Sequence, residues 1–146
     1  MLFRSGLRPR DIAFSRDGSR AYVSNEFAAS ISVIEVGAAV VVDTLTLPEG
    51  SLPMGLALAP DDNTLYVANG RGRTVVAINL LRGEISGSVE VGARPWGLTI
   101  SPDDSKLFSA NGPSDDVSVI DVSCFTGIDT VNVGETPWGV WVGPKL

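Results

Sequence analysis

The 146 residues are 44% hydrophobic and 19% charged, with a net charge of −6 and a pI of about 4.5. That apolar content fits a packed core rather than disorder, and the acidic balance argues against a surface that neutralises nucleic-acid phosphates. No run of 18 apolar residues offers a membrane-spanning helix, and with no histidine and a single cysteine, Cys124, the chain has no Ser-His-Asp or Cys-His triad, no imidazole metal ligand and no internal disulfide.

The first ten residues, MLFRSGLRPR, lack the apolar core of a signal peptide. From Arg8 the chain is repetitive. Arg8–Val36, Leu52–Leu80 and Arg94–Val122 spell the same unit, and TPWGVWV begins a fourth. The anchor prolines Pro9, Pro53, Pro95 and Pro137 recur at intervals of 44, 42 and 42 residues. A period just above 40 is that of a four-stranded propeller blade.

Within each unit four short runs follow in order. The first runs are Asp11–Ser15, Gly55–Ala59 and Gly97–Ser101. The turns SRDGS, APDDN and SPDDS come next, with Asp, Gly and Pro where turn dihedrals require them. Second runs are Ala21–Ser24, Leu65–Ala68 and Leu107–Ala110, each closing on an asparagine: Asn25, Asn69, Asn111. Third runs are Ser30–Val36, Thr74–Ile78 and Val117–Val122; fourth runs are Val41–Leu47, Ser86–Val91 and Thr130–Val133. All are rich in Val, Ile, Tyr, Phe and Thr, which favours strands, and none has a helical apolar period. Small residues recur on one parity of the first runs, including Gly55 and Gly97. Strands converging on a central axis have least room, so the recurrence favours an axial taper over a local bulge.

AYVSN, LYVAN and LFSAN resemble the YVTN motif of YVTN-type β-propeller repeat proteins. PRDIAFSRDGS, PMGLALAPDDN and PWGLTISPDDS resemble the segment that precedes it in that family, and SISVIEV and VSVIDV its third strand. SANGPSDDVSVIDV with VGETPWGVWV is similar to the C-terminal end of the propellers associated with PQQ-dependent catabolism, which accompany quinoprotein alcohol oxidation and are exported to the periplasm. Asp11 departs from the pattern, standing where glycine is expected, and Phe108–Ser109 replaces Tyr-Val.

The expected fold is therefore all-β, a partial β-propeller. Its blades of four antiparallel strands span about residues 8–48, 52–92 and 94–134, and residues 135–142 give the inner strand of a further blade. Propellers need four to eight blades to close. The chain is expected to be the C-terminal part of a larger propeller or a protomer that closes on another copy, with self-association through open blade faces or the edge strand Trp138–Val142.

Strand order puts the loop before each first strand and the loop between second and third strands at one end, the top. Candidate binding residues there are Arg71, Arg73, Arg94, Trp96 and Trp138, with Asp11 at the channel. Arginine and tryptophan are common interface anchors. The competing reading packs the tryptophans between blades and pairs the arginines with Asp115, Asp116 or Glu135; Asp11 either binds a ligand or is satisfied by Arg10 or by a neighbouring blade's amides. The pairs Asp61–Asp62 and Asp103–Asp104 read as turn residues rather than calcium ligands, and GRGR at 70–73 lacks what a phosphate loop requires.

No catalytic residue, metal or cofactor is assigned. The expected function is a non-catalytic binding or scaffold module, periplasmic or extracellular in its parent protein and taking a protein partner or small ligand at the top face. An accessory role in PQQ-dependent alcohol oxidation is implied by the resemblance. The alternative is a fragment of a propeller enzyme (a lactonase, lyase or redox subunit) whose catalytic groups lie in other blades.

Overall fold

The computed structural model describes residues 4–143. Three four-stranded antiparallel sheets follow one another along the chain, each strand pairing with the next. The first contains β1 (Pro9–Phe14), β2 (Arg20–Asn25), β3 (Ser30–Glu35) and β4 (Val40–Thr46). The second contains β5 (Pro53–Leu58), β6 (Thr64–Asn69), β7 (Thr74–Asn79) and β8 (Glu84–Glu90). The third contains β9 (Pro95–Ile100), β10 (Lys106–Asn111), β11 (Asp116–Asp121) and β12 (Thr126–Asn132). The chain is thus an all-β stack of propeller blades. First strands begin on the anchor proline, the position where a missing N–H is tolerated. β12 begins at Thr126, ahead of the expected Thr130, and single 3-10 turns at Glu26–Ala28 and Gly112–Ser114 interrupt two loops.

Side chains alternate across each strand, so the second sheet presents an apolar layer to both neighbours. Tyr22, Ile31, Val33 and Leu45 of the first sheet pack on Leu56, Leu65, Val67 and Ile78 of the second. On its other face Ala57, Tyr66, Val75 and Ala77 pack on Leu98, Leu107 and Ile120 of the third. Leu65, Ile78, Leu107 and Ile120 are fully buried, each stabilising the stack by roughly 1.5–3 kcal/mol. Among the described residues no further sheet covers the outer faces of the end sheets; residues 137–143 meet the third only at its axial edge. Ile12 and Phe14 on one, and Ile128 and Val131 on the other, are therefore exposed.

Near the axis the sheets touch main chain to main chain. A Cβ on Gly55 would lie 2.5 Å from the Trp96 carbonyl oxygen and 2.9 Å from the Leu98 nitrogen. One on Gly97 would lie 2.8 Å from the Cα of Gly139. The β5–β6 register also breaks between Pro53 and Leu56, so axial crowding and a bulge coincide at Gly55. Residues 137–143 carry this contact beyond the third sheet without joining a β-ladder.

Asp11 stands at the same position in the first blade and reaches across instead. Its carboxylate accepts from the Leu56 N–H at 2.8 Å and from its own neighbour Ile12 at 2.8 Å. The Asp11 N–H donates to Ser24 Oγ at 3.1 Å, and that hydroxyl donates to the Met54 carbonyl at 2.6 Å. At the opposite end the Asp-rich turns are closed by their own side chains. Asp17 accepts from Ser15 and Ser19, and Asp103 from Ser101 and Ser105. These bonds hold both carboxyls well below the ordinary 3.8, at about 2. The Asp62 carboxylate takes the Arg16 N–H of the first blade at 3.1 Å. Pro60 and Pro102 stand where Arg16 stands and have no N–H to give, so the seam between the second and third sheets lacks this bond.

No helix among the described residues is long and apolar enough to cross a membrane.

Candidate functional site

The loop ahead of each first strand is tied to the loop after each second strand. Glu26, Gly70 and Gly112 donate their N–H groups to the carbonyls of Arg8, Leu52 and Arg94 at 3.0, 3.0 and 3.4 Å. The strand-end asparagines brace the same loops. Asn25 Nδ2 donates to Ser30 and Ser32, Asn111 Nδ2 donates to Asp116 and Ser118, and Asn69 Oδ1 accepts from the Leu52 N–H. The asparagines are thus structural members of this end.

The residue after each anchor proline is Arg10, Met54, Trp96 or Trp138. Because every first strand starts near the axis, these four side chains converge. They line a hollow of about 420 Å³ together with Asp11 and the backbones of Gly55, Gly97 and Gly139. The ring centres of Trp96 and Trp138 are 4.6 Å apart and inclined at 43°, a tilted aromatic contact. The Arg94 guanidinium lies 5.6 Å from the centre of Trp96, and that of Arg10 lies 5.6 Å from the centre of Trp138, within cation–π range. Arg10 thereby bridges the first blade to residues 137–143.

Behind Arg10 is Glu26, only 7% exposed. Its Oε2 faces the Nε of Arg8 at 3.1 Å and the Nε of Arg10 at 3.5 Å, contacts of charge rather than aligned hydrogen bonds. Arg8 also covers Phe27, 4.7 Å from the ring centre. Both ion pairs found among the described residues therefore converge on one buried carboxylate.

The hollow gathers Asp11, Trp96 and Trp138 from the residues singled out in the sequence. Arg94 sits at its rim through the contact with Trp96. Arg71 and Arg73 are exposed on the β6–β7 loop and do not line it. Among the described residues Trp138 is 63% exposed and Trp96 is half-buried, its ring lying directly over Gly112. Among the described residues, Asp115, Asp116 and Glu135 form no ion pair with an arginine; Asp115 instead accepts the Thr136 N–H at 2.7 Å. Arg10, Met54 and Glu26 were not chosen from sequence as site residues. Arg10 and Met54 could have been found by reading the position after the proline down the repeat.

Chemically the hollow offers indole faces and guanidinium edges. A guanidinium stacked on an indole keeps its in-plane N–H groups free for a carboxylate or phosphate. Asp11, the carboxylate lining the hollow, has both oxygens engaged by backbone amides.

The chain matches the model of the lactonase, 7-bladed beta-propeller family over residues 1–137. No curated protein matches it in sequence. Among solved structures it is similar to Kuenenia stuttgartiensis hydrazine synthase, with 24% identity and a TM-score of 0.82 over 89% of this chain and 37% of that one. It is also similar to a Bacteroides fragilis protein described as a 6-phosphogluconolactonase, with 20% identity and a TM-score of 0.79 over 90% of this chain and 40% of that one. A functionally unknown protein from Desulfotomaculum acetoxidans shares 16% identity and a TM-score of 0.80 over 92% of this chain and 45% of that one. The chain spans less than half the length of each, and at these identities the likeness is one of fold. On the family match, which covers nearly its whole length, the chain belongs to the lactonase family of seven-bladed β-propellers.

Proposed function

We propose that the chain is a binding module of a lactonase-family propeller, taking a small ligand or a partner's loop at the axial hollow, and is not a hydrolase in its own right. The observation that carries this reading is the state of Asp11. Opening a lactone requires a group that activates water and another that stabilises the developing oxyanion. Asp11 is tied to the Leu56 and Ile12 amides. The groups that remain free at the mouth are indoles and guanidinium edges, which bind and orient.

A second reading is favoured by the family match itself: the three blades are one share of a hydrolase whose water-activating groups come from further blades. The two part on one assay, in which glucono-δ-lactone is given in a pH-stat to the complete propeller that carries these blades and to the chain alone. The binding reading expects no turnover above buffer from either; turnover by the complete propeller only would favour the second reading, and turnover by the chain alone, abolished by Asp11→Asn, would overturn both.

The C-terminal motif supports a finer proposal, that the module works in the periplasm or at the cell surface beside quinoprotein alcohol oxidation. Retention of the parent protein in the cytoplasmic fraction would contradict that placement.

A further inference from the structure

We infer that the hollow at the channel mouth is a site for planar aromatic carboxylates, with Arg10 and Trp138 as its specificity-determining residues. This rests on the binding-module reading and gives it a ligand class.

Four observations point the same way. The first is room: the hollow holds about 420 Å³, within the range of small-molecule sites. The second is an aromatic surface: among the described residues Trp138 is 63% exposed, and its ring meets that of Trp96 at an inclination of 43°. Such a surface favours another flat ring.

The third observation is an oriented cation. Glu26 faces the Nε of Arg10 at 3.5 Å and the Trp138 ring centre lies 5.6 Å from its guanidinium, and among the described residues no acceptor is found for its Nη edge. A carboxylate matches that edge in a forked geometry. The fourth is the balance of charge. Arg10 lines the hollow and Arg94 stands at its rim, while Glu26 is shared by Arg10 with Arg8, and the oxygens of Asp11 accept two amides. The mouth therefore favours an anion over a cation. Arg10 replaces the apolar or aromatic residue found after the other anchor prolines, Met54, Trp96 and Trp138, so the cation is particular to this blade.

The test is a titration of the folded chain followed by tryptophan emission and by calorimetry. The probes are 2-naphthoate, cyclohexanecarboxylate, 2-naphthol and gluconate. Naphthoate is expected to bind about tenfold or more tighter than 2-naphthol, which lacks the carboxylate for a charged hydrogen bond, and roughly two- to tenfold tighter than cyclohexanecarboxylate, which keeps the charge and lacks the flat ring. Arg10→Met and Trp138→Met, which copy the second blade, should each weaken naphthoate by about tenfold. Arg10→Lys should fall between wild type and Arg10→Met, because it keeps the charge and loses the fork. Arg71→Met, outside the hollow, should leave the affinity unchanged. Unchanged urea midpoints would show that the variants remain folded.

The inference is overturned by equal binding of naphthoate and cyclohexanecarboxylate, by Arg71→Met matching Arg10→Met, or by no binding to the folded chain. Gluconate binding without naphthoate binding would overturn the ligand class and leave the binding module standing. Lactone turnover would overturn the module independently of either result.

Discussion

Alanine at Gly55 and alanine at Gly139 make the same chemical change at the same repeat position, and the structure predicts different costs. At Gly55 the new methyl would sit 2.5, 2.9 and 3.0 Å from three main-chain atoms of the third sheet. Ordinary contact begins near 3.4 Å, so the two sheets would have to part by nearly 1 Å close to the axis. A gap of that size forfeits a quarter to a half of each dispersion contact it opens, here in the layer formed by Ala57, Tyr66 and Leu98. Overpacking of this kind costs about 1–3 kcal/mol, and the obstructing atoms are backbone, which places Gly55→Ala at the upper end. The lower chain entropy of alanine when unfolded returns about 0.5–1 kcal/mol, leaving a net loss of about 2 kcal/mol. With an m-value of about 2 kcal/mol/M in urea, the midpoint should fall by about 1 M. Gly139→Ala meets nothing within 4 Å among the described residues and should stay within about 0.5 kcal/mol of wild type. Equal midpoints for the two variants would refute the argument that inter-blade contact, rather than strand propensity, selects glycine here.

Asp11→Ala removes the acceptor of the Leu56 N–H and should destabilise by about 1–3 kcal/mol in urea, with Asp11→Asn closer to wild type. Asp104 sits at φ 61° with no acceptor role across the seam, so Asp104→Gly should raise stability by a few tenths of a kcal/mol or more. Asp62→Gly, relieving a φ of 56° but losing two contacts to the Arg16 N–H, should gain less or lose; the reverse order in calorimetry would contradict this. Asp17 and Asp103 are depressed from 3.8 to about 2, so their contribution is present above pH 4 and is lost as pH falls towards 2. Carboxyl NMR should place both midpoints near 2, and Ser105→Ala should raise that of Asp103. The uncovered faces at Phe14 and Ile128 should drive concentration-dependent association of the isolated chain, which a light-scattering mass fixed at one protomer up to high concentration would disprove.

The repeat made the sheets legible because every unit repeats the same turn chemistry and the same β-branched runs, and a shared period converts three weak signals into one strong one. Residue propensity starts β12 only at Thr130, because Gly127 and Asp129 are weak strand formers. Ser123–Phe125 form a turn closed by Asp121, which accepts from Ser123 and Cys124, so pairing resumes at Thr126. Of the candidate site, Trp96, Trp138 and Asp11 could be placed at the axis from their repeat position alone. Whether Asp11 faces a ligand or an amide could not, because that depends on the distance between neighbouring sheets, which no single strand encodes. Arg71 and Arg73 were grouped by loop, but loop membership does not fix reach: they stand on the β6–β7 side of the top end, whereas the hollow is built from the residues that follow the prolines.

The carboxylate of Asp62 against Arg16, that of Asp11 against Leu56 and the Ser24 hydroxyl against Met54 give one junction three polar fasteners, while its neighbour relies on close backbone approach. The units are therefore not interchangeable parts. A gene in which the first repeat was moved behind the third would still encode every sheet, yet would place the fasteners where nothing receives them.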